Sequence, residues 1–98
     1  MRFIWDPKKG HINESKHGIS FEDAITVFDD PFALRAPDPR HSTASETREW
    51  IIGEADMGHI LVVIFTERVR GNLYRIISAR RANRRERRLY EEFKRVPI

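Results

Sequence analysis

The chain reads as an α+β domain, a mostly antiparallel sheet packed with two N-terminal helices and one C-terminal helix. Three strand-like segments within residues 47–79 are joined by links too short for anything but antiparallel neighbours, so they form a meander. Helix-capping signals bracket two segments before Asp30 and open a third after Ala82. With 98 residues, 40% of them hydrophobic, there is material for one core, and residues 1–98 read as a single domain.

Residues 2–5 predict a short first strand. Asp6-Pro7 then supplies an N-cap and a proline at the first helical position, where its missing N–H costs nothing. The helix it opens is predicted over residues 7–16, ending at His17-Gly18 with Gly18 as the left-handed C′ residue. Ser20 and Asp23 resemble a capping box, and Phe21, Ala24, Ile25 and Phe28 follow the i, i+3, i+4, i+7 spacing of a buried helical face. This second helix is stopped by Asp29-Asp30-Pro31. Residues 32–36 suit a short strand, and residues 37–42, with Pro37 and Pro39, a loop. Strands are predicted over 47–53, 59–66 and 73–79. The run from Ile60 to Phe65 does not alternate, which predicts a central strand covered on both faces. Asn83 and Glu86 open a last helix reaching Lys94, with Leu89 and Phe93 as its i, i+4 core contacts.

Charge is distributed unevenly. Eleven of the 18 basic residues lie between Arg68 and Arg95 with only three acids among them, so that stretch carries +8 on a chain whose net charge is +3. Arginine presents a planar fork that grips phosphate oxygens in pairs, which makes nucleic acid the first partner to consider. The Arg-rich last helix serves equally well as a docking site for an acidic protein segment. The absence of cysteine excludes disulfides and thiolate chemistry and fits a reducing compartment, with cytosol the default. The longest apolar run is too short to span a bilayer, and the first residues do not form a signal peptide, so no membrane partner is expected. A domain this small would gain stability from a homodimer or a tightly held partner.

Candidate chemistry resides in a few residues. Lys9, Asn13 and Lys16 share one face of the first helix with Ile12, either as a phosphate-contacting row or as a solvated face anchored by Ile12. His17 is able to move protons near neutral pH, or simply to satisfy the helix C-terminus. Glu67 and Arg68 close the central strand, Arg75 and Arg80 belong to the next strand and its exit, and Glu67, Arg68 and Arg80 are expected around one concave surface, as an ion-pair cluster or as a base among phosphate clamps. Arg84 and Arg88 extend the basic surface along the last helix. Asp29-Asp30 lacks ligand spacing and no histidine pair has it, so no metal site is expected.

Taken together, Trp5-Asp6, Lys9, Asn13, the block from Lys16 to Glu22 (KHGISFE), Thr66-Glu67-Arg68, the block from Arg75 to Arg80 (RIISAR) and Glu86-Arg87 resemble the BrnT family of bacterial toxins over nearly the whole chain. The resemblance implies a type II toxin–antitoxin ribonuclease with a RelE-like fold and no metal or organic cofactor. It also implies a BrnA-like antitoxin with a ribbon-helix-helix DNA-binding part, and a complex of toxin and antitoxin pairs that reaches operator DNA only through the antitoxin. Carried across, the family's polar signature falls on Lys9, Asn13, Lys16, His17, Glu67, Arg68, Arg75 and Arg80; Arg81 and the long loop at residues 37–45 depart from its pattern. The implied chemistry is 2′-hydroxyl attack that inhibits translation by cutting RNA. In it Glu67 or His17 is the base, the other or Lys16 the acid, and Arg68 with Arg80 clamps the phosphorane.

Overall fold

A computed structural model of the chain describes residues 1–96. In chain order it contains β1 (Arg2–Ile4), α1 (Pro7–His17), α2 (Phe21–Ala24) running into a 3-10 turn (Ile25–Asp29), β2 (Leu34–Pro37), β3 (Glu49–Glu54), β4 (Ile60–Val69), β5 (Leu73–Arg81) and α3 (Arg84–Lys94). The strands form one five-stranded sheet in the order β1-β5-β4-β3-β2. β3, β4 and β5 pair antiparallel in succession, as the predicted meander requires, and β2 adds antiparallel to β3, but β1 lies parallel to β5, so the sheet is mixed. Among the described residues no helix is long and apolar enough to cross a membrane.

One face of the sheet is fully covered. Ile51, Leu61, Val63, Phe65, Tyr74, Ile76 and Ala79 pack there against Ile19, Phe21, Ala24 and Val27. Phe3, Phe28, Phe65 and Tyr74 add a ring cluster with centroids 4.9 to 5.9 Å apart. On the other face Ile52, Val62 and Ala82 meet Tyr90 of α3, with Trp50, Ile60 and Ile64 only half-buried around them. β4 therefore has apolar contacts on both faces, as its unbroken hydrophobic run predicts.

α1 begins and ends as its sequence signals indicate. Asp6 accepts from the Lys8 N–H at 2.9 Å, and Gly18 adopts φ +73° and donates to the Glu14 carbonyl. Its anchor is Asn13, however, and not Ile12: Asn13 is 6% exposed and Ile12 57%. The Asn13 Oδ1 accepts from the Ala79 N–H at 3.0 Å, and its Nδ2 donates to the Ala79 carbonyl at 2.8 Å and to the Ile19 carbonyl at 2.9 Å. Its carboxamide thus makes both bonds that a further strand would offer the edge of β5 at Ala79.

The second predicted helix is shorter than its apolar spacing suggests. α2 gives way to the 3-10 turn at Ile25, where the Thr26 hydroxyl donates to the Asp23 carbonyl at 2.7 Å and accepts from the Asp56 N–H at 2.9 Å. Back-bonding of this kind, in a segment with β-branched Ile25, Thr26 and Val27, favours the tighter winding. Against the turn packs Gly53, where a Cβ would stand 2.8 Å from Val27 Cγ1 and 3.0 Å from Ala33 Cβ.

α3 carries the predicted capping box between Asn83 and Glu86. Its predicted core pair is a correction: Leu89 and Phe93 are 49% and 56% exposed, whereas Tyr90 is 2% exposed. Glu86 and Tyr90, also i and i+4, face the body instead. The Tyr90 hydroxyl donates to Asp30 at 2.5 Å, and Glu86 takes a two-pronged bond from Arg80 at 2.7 and 2.8 Å. A ring with a polar tip reaches a half-buried acceptor that Leu89 and Phe93 have no group to meet.

Replacing Asn13 with Ala leaves the Ala79 peptide group unpartnered and is expected to cost on the order of 2–4 kcal/mol. Urea unfolding is expected to show a lowered midpoint with unchanged slope. Gly53→Ala is expected to cost about 1–3 kcal/mol through overpacking against Val27, read from the same titration. Burial by itself would raise the Asp30 pKa, but hydrogen bonds from the Glu54 N–H, the Tyr90 hydroxyl and the Phe32 N–H hold it below its ordinary value of 3.8. Its contribution is therefore complete above pH 3.8 and is lost as the pH falls through the lower folded value. Tyr90→Phe is expected to move acid unfolding to higher pH, followed by circular dichroism.

Candidate nucleic-acid interface

The face opposite α1 and α2 is where the basic side chains collect, and register determines which of them reach it. Ile64 faces Trp50 on β3 and Ser78 on β5, Thr66 faces Arg75, and Val62 faces Arg80. Arg75 and Arg80 are five positions apart and would point to opposite faces of a regular strand. An extra residue at Ile77, between the Ile64–Ser78 and Phe65–Ile76 pairs, restores the phase and puts both on the open face. A second irregularity between Glu67 and Val69 falls on Arg68.

At one end of this face Glu46 is ringed by guanidinium groups. Arg75 lies 2.8 Å away, Arg48 3.1 Å and Arg68 3.4 Å. The hydrogen bond from Arg48, with the positive charges of Arg75 and Arg68, holds the Glu46 carboxyl below the usual carboxylate range. Beside it Thr66 Oγ1 and Arg75 Nε are shielded from solvent and have no hydrogen-bond partner among the described residues. Guanidinium forks converging on one carboxylate have the chemistry to take a tetrahedral oxyanion, which accepts donors from several forks at once. Half-buried Trp50 lies along the same face and offers a surface on which a base can stack.

Sequence-predicted residues are distributed differently from the expectation. Glu67 does not join Arg68 and Arg80. It belongs to the covered face, where it accepts from the Gly71 N–H at 2.6 Å and pairs with Arg35 at 3.3 Å, beneath which lie the Phe65 and Tyr74 rings. The Gly71 N–H is the main reason that its carboxyl is held low, and its role is to close the β4–β5 turn. Arg80 stands opposite Val62, while Arg68 lies beyond Thr66, which at strand spacing puts them roughly 20 Å apart. A single phosphorane cannot be clamped by both. Glu86, held low chiefly by its bond from Arg80, keeps that guanidinium occupied.

Lys9, Lys16 and His17 do come together. With Ile12, Asn13, Ile77 and Ser78 they line a shallow recess of about 190 Å³ where α1 runs along β5. Asn13 has both polar atoms committed to backbone partners, so it positions this wall and is not free to contact a ligand. Arg84 and Arg88 are exposed on α3, and Arg85 and Arg88 border a recess of about 580 Å³ with Leu89 and Glu92. Among the described residues no three His, Cys, Asp or Glu side chains converge as metal ligands.

The expectation missed Glu46, Arg48 and Trp50. The alternation of residues 48, 50 and 52 along β3 was a legible signal for their shared face, whereas the convergence of Arg48, Arg68 and Arg75 on Glu46 depends on pairing across three strands.

Comparison with known proteins agrees with this architecture. The profile of the family described as "Ribonuclease toxin, BrnT, of type II toxin-antitoxin system" matches residues 5–86. The crystal structure of the Brucella abortus ribonuclease toxin BrnT is similar over 86% of this chain and 99% of that one, with 30% sequence identity and a TM-score of 0.60. No curated protein matches the sequence significantly. With most of its length matched by the family and its fold shared with a solved member, the chain belongs to the BrnT family of ribonuclease toxins of type II toxin–antitoxin systems.

Proposed function

We propose that the chain is a metal-independent endoribonuclease that binds RNA across the open face of its sheet and inhibits translation by cutting it. The convergence of Arg48, Arg68 and Arg75 on one anion position beside two unpartnered buried polar atoms carries this reading. The scissile phosphate takes the place of the Glu46 carboxylate, and the guanidinium groups stabilise the charge that grows on phosphorus as the 2′-oxygen attacks. Trp50 stacks a neighbouring base. Lys9, Lys16 and His17 meet the chain at the α1 wall, and Arg84 and Arg88 meet it at the α3 end. Glu67, buttressed on the covered face, has no part in the chemistry. The products are a 2′,3′-cyclic phosphate and a 5′-hydroxyl.

The antitoxin is a BrnA-like protein with a ribbon-helix-helix DNA-binding part, in a complex that holds a toxin pair and reaches operator DNA through the antitoxin. The open-faced sheet with flanking helices agrees with a RelE-like description of the fold. Support for docking on α3 comes from Leu89, Phe93 and Val96, which stand 49 to 61% exposed among arginines. An acidic segment with apolar anchors complements that surface, and masking it would block the α3 end of the RNA path.

The rival reading is a binding module that grips RNA without cutting it; both predict salt-sensitive binding, and only the enzyme shortens RNA. Purified protein incubated with labelled RNA in EDTA is expected to yield fragments with 2′,3′-cyclic phosphate ends. Intact RNA would overturn the catalytic reading, and 5′-phosphate ends the mechanism. Arg75→Ala is expected to lower kcat about 10²–10³-fold, whereas Glu67→Gln is expected to leave kcat within a few-fold of wild type. Leu89→Asp with Phe93→Asp is expected to abolish antitoxin inhibition while cleavage persists, measured by titrating antitoxin against RNA cleavage.

A further inference from the structure

The loop between β2 and β3 is more tightly built than its proline-rich sequence implies. Asp38, 7% exposed, donates its N–H to the Arg48 carbonyl at 2.8 Å and accepts from the Arg40 N–H at 3.2 Å. The Ser42 hydroxyl accepts from the Arg48 N–H at 2.8 Å and donates to the Asp38 carbonyl at 2.7 Å. Between them His41 places Nδ1 at 2.5 Å from Asp38 Oδ2, while its side chain is 57% exposed. A carboxylate oxygen accepts, so the tautomer that satisfies this contact carries its hydrogen on Nδ1 and leaves a lone pair on Nε2. The loop that fixes this imidazole is the one that delivers Glu46 to Arg48, Arg68 and Arg75.

We propose that His41, oriented by Asp38, is the proton acceptor of RNA cleavage at the anion position formed by Arg48, Arg68 and Arg75. This rests on the ribonuclease reading above. Neither carboxylate that could compete for the task is free to do so: Glu46 is held low by Arg48, Arg75 and Arg68, and Glu67, on the covered face, by the Gly71 N–H and Arg35. His41 has a carboxylate on Nδ1, and more than half of its side chain is exposed. In the reaction Nε2 takes the 2′-hydroxyl proton as the 2′-oxygen bonds to phosphorus. The P–O5′ bond then breaks, the 5′-oxygen acquires a proton from water, and the imidazolium returns its proton to solvent. Asp38 is a positioning residue that holds the tautomer and favours the imidazolium as it forms. The carboxylate bonded to the ring is Asp38; the other charged residues of this loop are Arg40, Glu46 and Arg48, the last bonded through its backbone to Asp38 and Ser42.

Two variants separate chemistry from loop architecture. In His41→Asn the side-chain amide can still donate to Asp38 from the place of Nδ1, but Nε2 is gone; His41→Ala removes both and leaves a space for free imidazole. Single-turnover cleavage of labelled RNA in EDTA is expected to fall about 10²–10⁴-fold in both variants, with little change in RNA affinity, and imidazole is expected to restore part of the rate of His41→Ala. Wild-type rates in His41→Asn, or a slow His41→Ala that imidazole leaves unchanged, would overturn the assignment and reduce the dyad to a loop staple. If the wild-type chain itself leaves RNA intact, the ribonuclease reading fails; if it cleaves and His41→Asn keeps pace, only the assignment to His41 fails.

Discussion

The carboxamide of Asn13 is the constraint on which the arrangement depends. β1 stops pairing with β5 at Arg75, and beyond it the edge of β5 requires a partner for a buried peptide group at Ala79. A side chain with one acceptor and two donors fills that role from a helix, tying α1 to the sheet edge and, through the Ile19 carbonyl, fixing the start of the covered core. Because α1 is held at the edge and α2 with its 3-10 turn lies over one face, the opposite face is left for α3 alone to cover. Its limited contact leaves Trp50, Ile64, Ser78 and the strand arginines accessible.

Local irregularity then determines what that face displays. Without the extra residue at Ile77, one of Arg75 and Arg80 would enter the covered core, where an unpaired guanidinium is prohibitive. The resulting charge is too concentrated to stand unneutralised, and Glu46 and Glu86 each accept guanidinium groups. The two arrangements differ in kind. Arg80 and Glu86 match fork to carboxylate in two bonds and hold α3, whereas Glu46 is shared among three arginines and leaves donors idle. The first is an anchor; the second is a position for an anion that competes with a carboxylate already there.

α3 is suspended from the body at its first turn and at Tyr90, with its Leu89 and Phe93 stripe facing outward. A helix attached by few, directional contacts is suited to present a surface, since its exposed side chains are not needed for its own placement.

Element order, both helix caps at Asp6 and Asn83, the C-terminal glycine of α1 and the meander were legible in the sequence, because each rests on propensity or spacing within a few residues; the family was legible through the resemblance of whole residue blocks. The concentration of arginine was legible too, as was the sharing of one helix face by Lys9, Asn13 and Lys16, which helical periodicity alone dictates; that His17 joins their wall was not. Hidden from it were the roles of Asn13, Glu46 and Glu67, the choice of Tyr90 over Leu89, and the separation of Arg68 from Arg80. These depend on register, on bulges that change the face of every residue beyond them, and on which of several carboxylates comes within reach of a given guanidinium. Such partnerships are made between residues distant in the chain, and only the folded sheet decides them.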